Sequence, residues 1–377
     1  MKKIYALISL LLASFSLVSC GNQKLLILNW GEYINEELVA EFEKQYGVEV
    51  SISIADSNEL FYSKVKAGTT SYDLVLPSDY MIKKMRDESL IQEINFDKLT
   101  NYDPNKSTYY ASGLRDIRDS MTQTMGADIH NYYVPYFWGT FGLMYNRRID
   151  GLEEAVQTHS WNAYFDPALR PANTRVGMYD VAQYAFATSM LSLGLDPNLE
   201  PTKENLDKSS EVLKKAGFSV WADDALKKDI QANNLDLAYV WTGDFLDMLY
   251  VDLEEGTSFK DMPYNIYIPN DTMSFVDSFV IPTKARHVDL AHEFINFFLN
   301  PDAAKQNASV VGYATPLQET FDAIATYVGE DEWLTNWALA YETYYKDNPN
   351  FTGKPYATYT SRELTLIQNM VNNIKTS

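Results

Sequence analysis

Four short segments set an aromatic ring beside a carboxylate: Asn29-Trp30-Gly31-Glu32-Tyr33, Pro77-Ser78-Asp79-Tyr80, Trp241-Thr242-Gly243-Asp244 and Phe275-Val276-Asp277-Ser278. The chemistry open to such a set is narrow. An ionised carboxylate only accepts hydrogen bonds, while a protonated amine brings three donors and no acceptor. Bonds between the two are charge-assisted and strong. Aromatic faces give methylene groups a flat apolar wall and attract an ammonium by about 0.5–2 kcal/mol each. An ammonium buried without an acceptor is prohibitive. Acids alternating with rings therefore suit a linear polyamine, each nitrogen meeting an acid and each methylene run meeting a ring.

These segments must be brought together by the elements that carry them. Leu25 to Asn29 reads as a buried strand, Val48 to Ile54 alternates with the period of a strand, and Leu74-Val75-Leu76 and Leu237 to Trp241 are short apolar strands. Phe279-Val280-Ile281-Pro282 gives a further strand end. Between them lie helical patterns. Asn35 caps one with Leu38, Phe42 and Tyr46 on a face and Gly47 at its end; another runs through Phe61 and Val65 to Gly68; Pro77-Ser78 opens a third, with Met81, Ile82 and Met85 on one side. Later helices are expected over Thr202–Gly217 and Val288–Leu299, from Asn300-Pro301, and over Ser361–Ile374. Strands alternating with helices of this length argue for an α/β fold with a mostly parallel sheet. In such sheets ligands sit outside the carboxyl ends of the strands, so the four segments can converge on one crevice.

A second α/β region is expected after Gly142-Leu143-Met144-Tyr145-Asn146, and no Gly/Ser linker separates it from the first, which favours two intertwined lobes. Plainer roles compete at single positions. Ser78 reads first as a helix N-cap, Asp79 equally as a helix-start residue, and Trp138 and Trp161 as core or rim. Glu32 and Asp79, just before or within first helical turns, can satisfy those helix ends and leave the cleft negative, which disfavours an anionic substrate.

Composition bounds the rest. Of 377 residues 46% are apolar and 22% charged, which excludes disorder and fibrous repeats and predicts about two domains. A formal net charge of −20 repels nucleic acid and anionic lipid. One cysteine excludes a disulfide framework and a cysteine-built zinc or iron–sulfur site, and the four histidines make no i, i+4 pair, so neither metal nor cofactor is expected. Lys2 and Lys3, followed by the apolar run Ile8 to Val18, have the layout of a signal peptide over 1–19. Leu17-Val18-Ser19-Cys20 resembles a bacterial lipobox, which implies a lipid anchor at Cys20 and a place in the periplasm or on the outer face of the cytoplasmic membrane.

Further segments suggest a family. Ser57-Asn58-Glu59, Tyr72-Asp73-Leu74-Val75-Leu76-Pro77-Ser78, Val134-Pro135-Tyr136-Phe137-Trp138-Gly139, Phe294 to Asp302 and Gly312-Tyr313-Ala314-Thr315-Pro316 stand in order with the ring–acid segments. Together they resemble the spermidine/putrescine-binding proteins of bacterial ABC importers, over nearly the whole mature chain to about residue 316. The resemblance implies a two-lobed periplasmic-binding-protein-like (type II) fold with intertwined lobes, a hinge near 139–146 and 270–277, and closure over ligand. It implies lobe 1 over 20–140 and 275–312, lobe 2 over 141–274, and a C-terminal segment 313–377 mainly on lobe 2.

By matching motifs, Trp30 and Tyr33 wall the ligand, Glu32 carries an acceptor, and Ser78 and Tyr80 line the first lobe. Trp241 stacks from the second lobe beside Asp244; Phe275 stands before the amine-holding Asp277; Tyr313 completes the set. The segment Tyr179 to Tyr184 departs from spermidine binders, with Val181 and Tyr184 where two acids are usual; Asp180 is one residue away, a shift in the alignment brings it in, and Asp180 and Tyr184 are taken as the ligand contacts of this segment. No counterpart of their C-terminal glutamine is found. Glu32, Asp244 and Asp277 are similar to the putrescine branch and Tyr80 to the spermidine branch, which leaves ligand length open. The implied partners are putrescine or spermidine and a membrane permease, with a monomer expected and no nucleic acid.

Two other classes compete. The 27 tyrosines could supply phenolates to ferric iron in a binding protein of the same fold, although packing explains tyrosine richness better. Glu32 and Asp277 could form the carboxylate pair of a secreted hydrolase, but no nucleophile elbow, zinc motif or phosphate loop accompanies them. A binding protein, not an enzyme, is the expectation.

Overall fold

The computed structural model describes residues 23–104, 112–345 and 350–376. Cys20 and the signal segment lie outside the described residues. In chain order the strands are β1 (Lys24–Asn29), β2 (Glu49–Ile54), β3 (Leu74–Val75), β4 (Ile91–Gln92), β5 (Val134–Asn146), β6 (Val176–Tyr179), β7 (Val220–Ala222), β8 (Leu237–Trp241), β9 (Tyr264–Tyr267), β10 (Ser274–Phe279) and β11 (Ile281–Pro282).

The first body is built on the parallel sheet β2-β1-β3. Its helices form where local chemistry allows. The Asn35 side chain accepts the Glu37 N–H and starts the helix Glu36–Tyr46, which buries Leu38 and Phe42. Gly47 ends it at φ 65, a left-handed conformation that a Cβ would penalise, and returns its N–H to the Glu43 carbonyl. Bridges Val75↔Val280 and Ser78↔Asp277 carry the sheet on to β10.

The second body holds β8, β6 and β7, mutually parallel, with β5 antiparallel to β8 and β9. All thirteen residues of β5 are buried. Its first half pairs with β10 and its second half with β8 and β9, so one strand passes from one body into the other. The β5–β10 register shifts between Asp277 and Ser278, which face Phe137 and Pro135 in turn. Proline has no N–H for the ladder, and a bulge is where a sheet tolerates it. Bulges also re-aim side chains, and this one lies at Asp277.

The expected C-terminal helix runs from Ser361 to Lys375, opened by a capping box between Thr360 and Glu363, and packs on the helices Ala182–Ser192 and Lys203–Ala216. The helix Glu332–Tyr345 packs on Thr242–Glu254, where the Trp337 indole donates to the Leu246 carbonyl at 3.0 Å. Trp333 is half-buried against Tyr250. Trp333 and Trp337 of this tail are thus packing groups. No helix among the described residues is long and apolar enough to cross a membrane.

Candidate functional site

The carboxyl ends of six parallel strands face one cleft with about 1020 Å³ of space, its open mouth included. Trp30 to Tyr33 follow β1, Ala55 to Glu59 follow β2, and Tyr80 opens the helix after β3. From the second body come Tyr179 at the end of β6, Asp223 and Asp224 after β7, and Trp241 ending β8. Asp277 reaches in from β10 and Tyr313 from the turn after the helix Pro301–Val311.

Asp277 is the best-built acceptor. Ser78 Oγ donates to its Oδ1 at 2.6 Å and the Tyr33 hydroxyl to its Oδ2 at 2.7 Å. Asn58 holds Ser78 at both ends, accepting its N–H at 2.9 Å and donating to its Oγ at 2.9 Å. Among the described residues no lysine or arginine pairs with Asp277, and burial pushes its carboxyl up to about 7 against the pull of the two hydroxyls. Asp79 beside it is raised to about 7, by burial first and with a contribution from Asp277. Asp79 accepts the N–H groups of Tyr80 at 2.6 Å and Val276 at 3.0 Å, which ties the helix Asp79–Asp87 to β10.

The walls are aromatic. The Trp30 indole donates to the Leu76 carbonyl at 2.8 Å, which fixes the ring at the mouth against Phe61. Trp241 lies edge-to-face on Phe275, centroids 4.4 Å apart. Tyr184 stacks on Tyr356 at 4.6 Å and 17°. Tyr33 and Tyr313 meet edge-on at 4.9 Å. Both of these phenols are buried beside carboxylates and held well above the ordinary range for tyrosine.

The far end is charged. The Tyr313 hydroxyl donates to Asp244 Oδ1 at 2.9 Å, and Lys227 Nζ stands 3.0 Å from the same oxygen. Asp224 accepts the Tyr179 hydroxyl. Burial raises both Asp224 and Asp247 to about 6. Tyr313 reaches Asp244 only because residue 243 is glycine: a Cβ there would lie 2.2 Å from the ring. Gly243→Ala should displace Tyr313 and weaken ligand binding about ten-fold or more, the loss of one hydrogen bond to a charged group. Titration calorimetry checks this, and unaltered affinity would show that Tyr313 has no part in binding.

The structure thus gathers Trp30, Glu32, Tyr33, Tyr80, Tyr184, Trp241, Asp244, Asp277 and Tyr313 on one cleft. Three expected residues are placed otherwise. Asp180 turns away to pair with Lys375 on the C-terminal helix, because its neighbours Tyr179 and Val181 take the cleft side of the turn. Phe275 is buried behind Trp241 as a backing ring. Ser78 occupies the N-cap position without a side-chain cap bond, since its hydroxyl is committed to Asp277 beneath the cleft surface. Glu32, at φ 52 and largely exposed, pairs across the mouth with Lys228 at 3.6 Å; exposed pairs of this kind contribute little.

Sequence reasoning missed Asp223, Asp224, Lys227 and Asp247. The signal for the first two was present, since Trp221-Ala222-Asp223-Asp224 repeats the ring–acid signature, but on a strand of three residues, too short to show alternation. Asp247 follows Asp244 by three residues on the helix Thr242–Glu254, the spacing that puts two side chains on one face.

Comparison with known proteins places this geometry in a family. The family model for bacterial extracellular solute-binding proteins matches residues 37–340. The spermidine/putrescine-binding periplasmic protein of Salmonella typhimurium is 30% identical over 317 residues, 83% of each chain. The putrescine-binding periplasmic protein PotF of Escherichia coli is 26% identical over 335 residues, 86% of each chain. A solved Listeria monocytogenes structure, provisionally assigned to a spermidine/putrescine ABC transporter, superposes with a TM-score of 0.74 at 29% identity, covering 94% of this chain and 99% of its own. These relatives are binding proteins of transport systems, and their two-lobed architecture is the one described above. With the match spanning the chain from the first helix through β2 to β11, the chain belongs to the bacterial extracellular solute-binding proteins.

Proposed function

We propose that this protein binds a polyamine, putrescine or spermidine, outside the cytoplasmic membrane and delivers it to the permease of an ABC importer. The observation that carries this is Asp277: a buried carboxylate with no cationic partner among the described residues, held by two hydroxyl donors at the floor of an aromatic cleft. A carboxylate so placed costs free energy until a cation reaches it. One ligand ammonium replaces water there, and Trp30, Trp241 and Tyr184 wall the methylene chain. Relatives named for such ligands align with 83% and 86% of this chain.

The acidic surface raises the encounter rate for a cation. The lobes, 20–140 with 275–312 and 141–274 with most of 313–377, then close about the crossing strands near 139–146 and 270–277. Closure excludes water and strengthens every acid–ammonium contact. The closed form is what the permease recognises. The protein works as a monomer tethered through lipid on Cys20.

Titration calorimetry with putrescine, spermidine and cadaverine tests the proposal. Heat and a thermal shift are expected with at least one, and silence with all three would defeat it. X-ray scattering should give a smaller radius of gyration with the bound polyamine than without, whereas an unchanged profile would mean that the lobes do not close.

A further inference from the structure

The second-body end of the cleft carries a cation of its own. Lys227 lies on the short helix Ala225–Gln231, its side chain only 5% exposed. Lysine is almost never buried to this degree unless paired. Its partners are Asp244 Oδ1 at 3.0 Å and Asp247 Oδ2 at 4.0 Å, and Asp224 acts on it from one turn earlier. Chemically this is a primary ammonium on a run of methylenes, the same group that ends a polyamine. It lies against the carboxylate that, on the function proposed above, serves a ligand nitrogen. The same carboxyl has a second, independent peculiarity. Its Oδ2 is buried and has no hydrogen-bond partner among the described residues, although the residue is 7% exposed and lines the cleft. One oxygen is therefore filled by Lys227 and Tyr313 and the other is left for a donor from outside.

We infer that Lys227 determines ligand length by acting as a tethered occupant of the outermost amine subsite. One ligand ammonium goes to Asp277 and a second to the open oxygen of Asp244. A third that extends past Asp244 enters among Asp224, Asp247 and Asp244, where the Lys227 ammonium already stands and repels it. The cleft consequently selects a diamine over a triamine, even though its acids outnumber the charges of either. A lysine that merely neutralised excess acid would affect every cationic ligand alike, so the selectivity ratio separates the two roles.

The test is titration calorimetry of the full chain with putrescine and spermidine, in the wild type and in Lys227→Met and Lys227→Gln. The glutamine variant keeps a donor toward Asp244 if the methionine variant does not fold, and thermal unfolding monitors both. The wild type is expected to prefer putrescine. The spermidine-to-putrescine affinity ratio should rise by about ten-fold or more in either folded variant. A ratio unchanged while both affinities move together would overturn the inference and leave polyamine binding intact. A wild type that binds neither amine would instead overturn the function on which it rests, and this inference with it.

Discussion

Asp277→Asn is expected to lower polyamine affinity by about a hundred-fold or more while raising the melting temperature of the free protein at neutral pH. The two effects have one cause. The amide keeps the shape of the side chain and an acceptor for one of the two hydroxyls, but it has no charge to offer an ammonium. Removing one partner of a buried charge pair costs about 2–5 kcal/mol of binding. In the free protein the sign reverses. Burial holds the Asp277 carboxyl at about 7, so above that pH the fold carries an unpaired buried charge. Asparagine relieves that cost, and a gain of a few degrees is expected. Calorimetry and thermal unfolding read the two quantities separately. Wild-type affinity in the variant would remove Asp277 from the role given to it here. Lost affinity with a lowered melting temperature would show that its two hydroxyl contacts, rather than its charge, matter to the fold.

Affinity should also climb with pH. In the free protein Asp277 titrates near 7, whereas a bound ammonium favours the ionised carboxylate and draws its pKa down. Binding below pH 7 must therefore release a proton. Between pH 5.5 and 7.5 the association constant is expected to rise about twenty-five-fold, the change in the ionised fraction of one such group. It then holds level until the ligand amines lose their own protons near pH 10. Free-protein stability runs the other way. The folded-state values of Asp79 and Asp277, about 7 each, lie above the ordinary carboxylate value. The folded state thus binds more protons than the unfolded chain between about pH 4 and 7, and stability from these groups is lost as pH rises through that window. Calorimetry at pH 6 in buffers of different ionisation enthalpy counts the released proton. A flat affinity from pH 5.5 to 8 would mean that the ammonium is held elsewhere.

Much of the architecture was legible because its signals are local. The Asn35 cap, the glycine at 47, the alternation of Val48 to Ile54 and the face of Leu364, Ile367 and Val371 each declare an element within a few residues. β5 was only partly legible. Its Pro135, Gly139 and Gly142 read as interruptions, and its burial on every residue erases alternation. The strand exists because β10, β8 and β9, more than ninety residues away, supply its hydrogen bonds. The site divides in the same way. Ring–acid pairs at strand ends were visible from type and spacing, and the parallel sheets bring them together. Whether a side chain faces the cleft or its back was not visible. Asp180 and Val181 differ by one position, yet Val181 lines the cleft and Asp180 points away to Lys375. Lys227 was hidden for a different reason: nothing in Ala225 to Gln231 distinguishes a buried lysine from a surface one until Asp244 arrives from the helix Thr242–Glu254.

The sharing of β5 and β10 between the two bodies bears on how the molecule comes into being. When synthesis has passed residue 140, the ribosome has delivered β1, β2 and β3, but β10, which continues their sheet, remains untranslated. The first body cannot close its sheet until almost three quarters of the chain has been made. Neither half, cut at that point, would own a complete set of strands. Such pairings at long sequence separation slow folding, because the intervening loop must be ordered before its contacts form. A nascent chain that stays open late is also one that can still be threaded through a translocation pore.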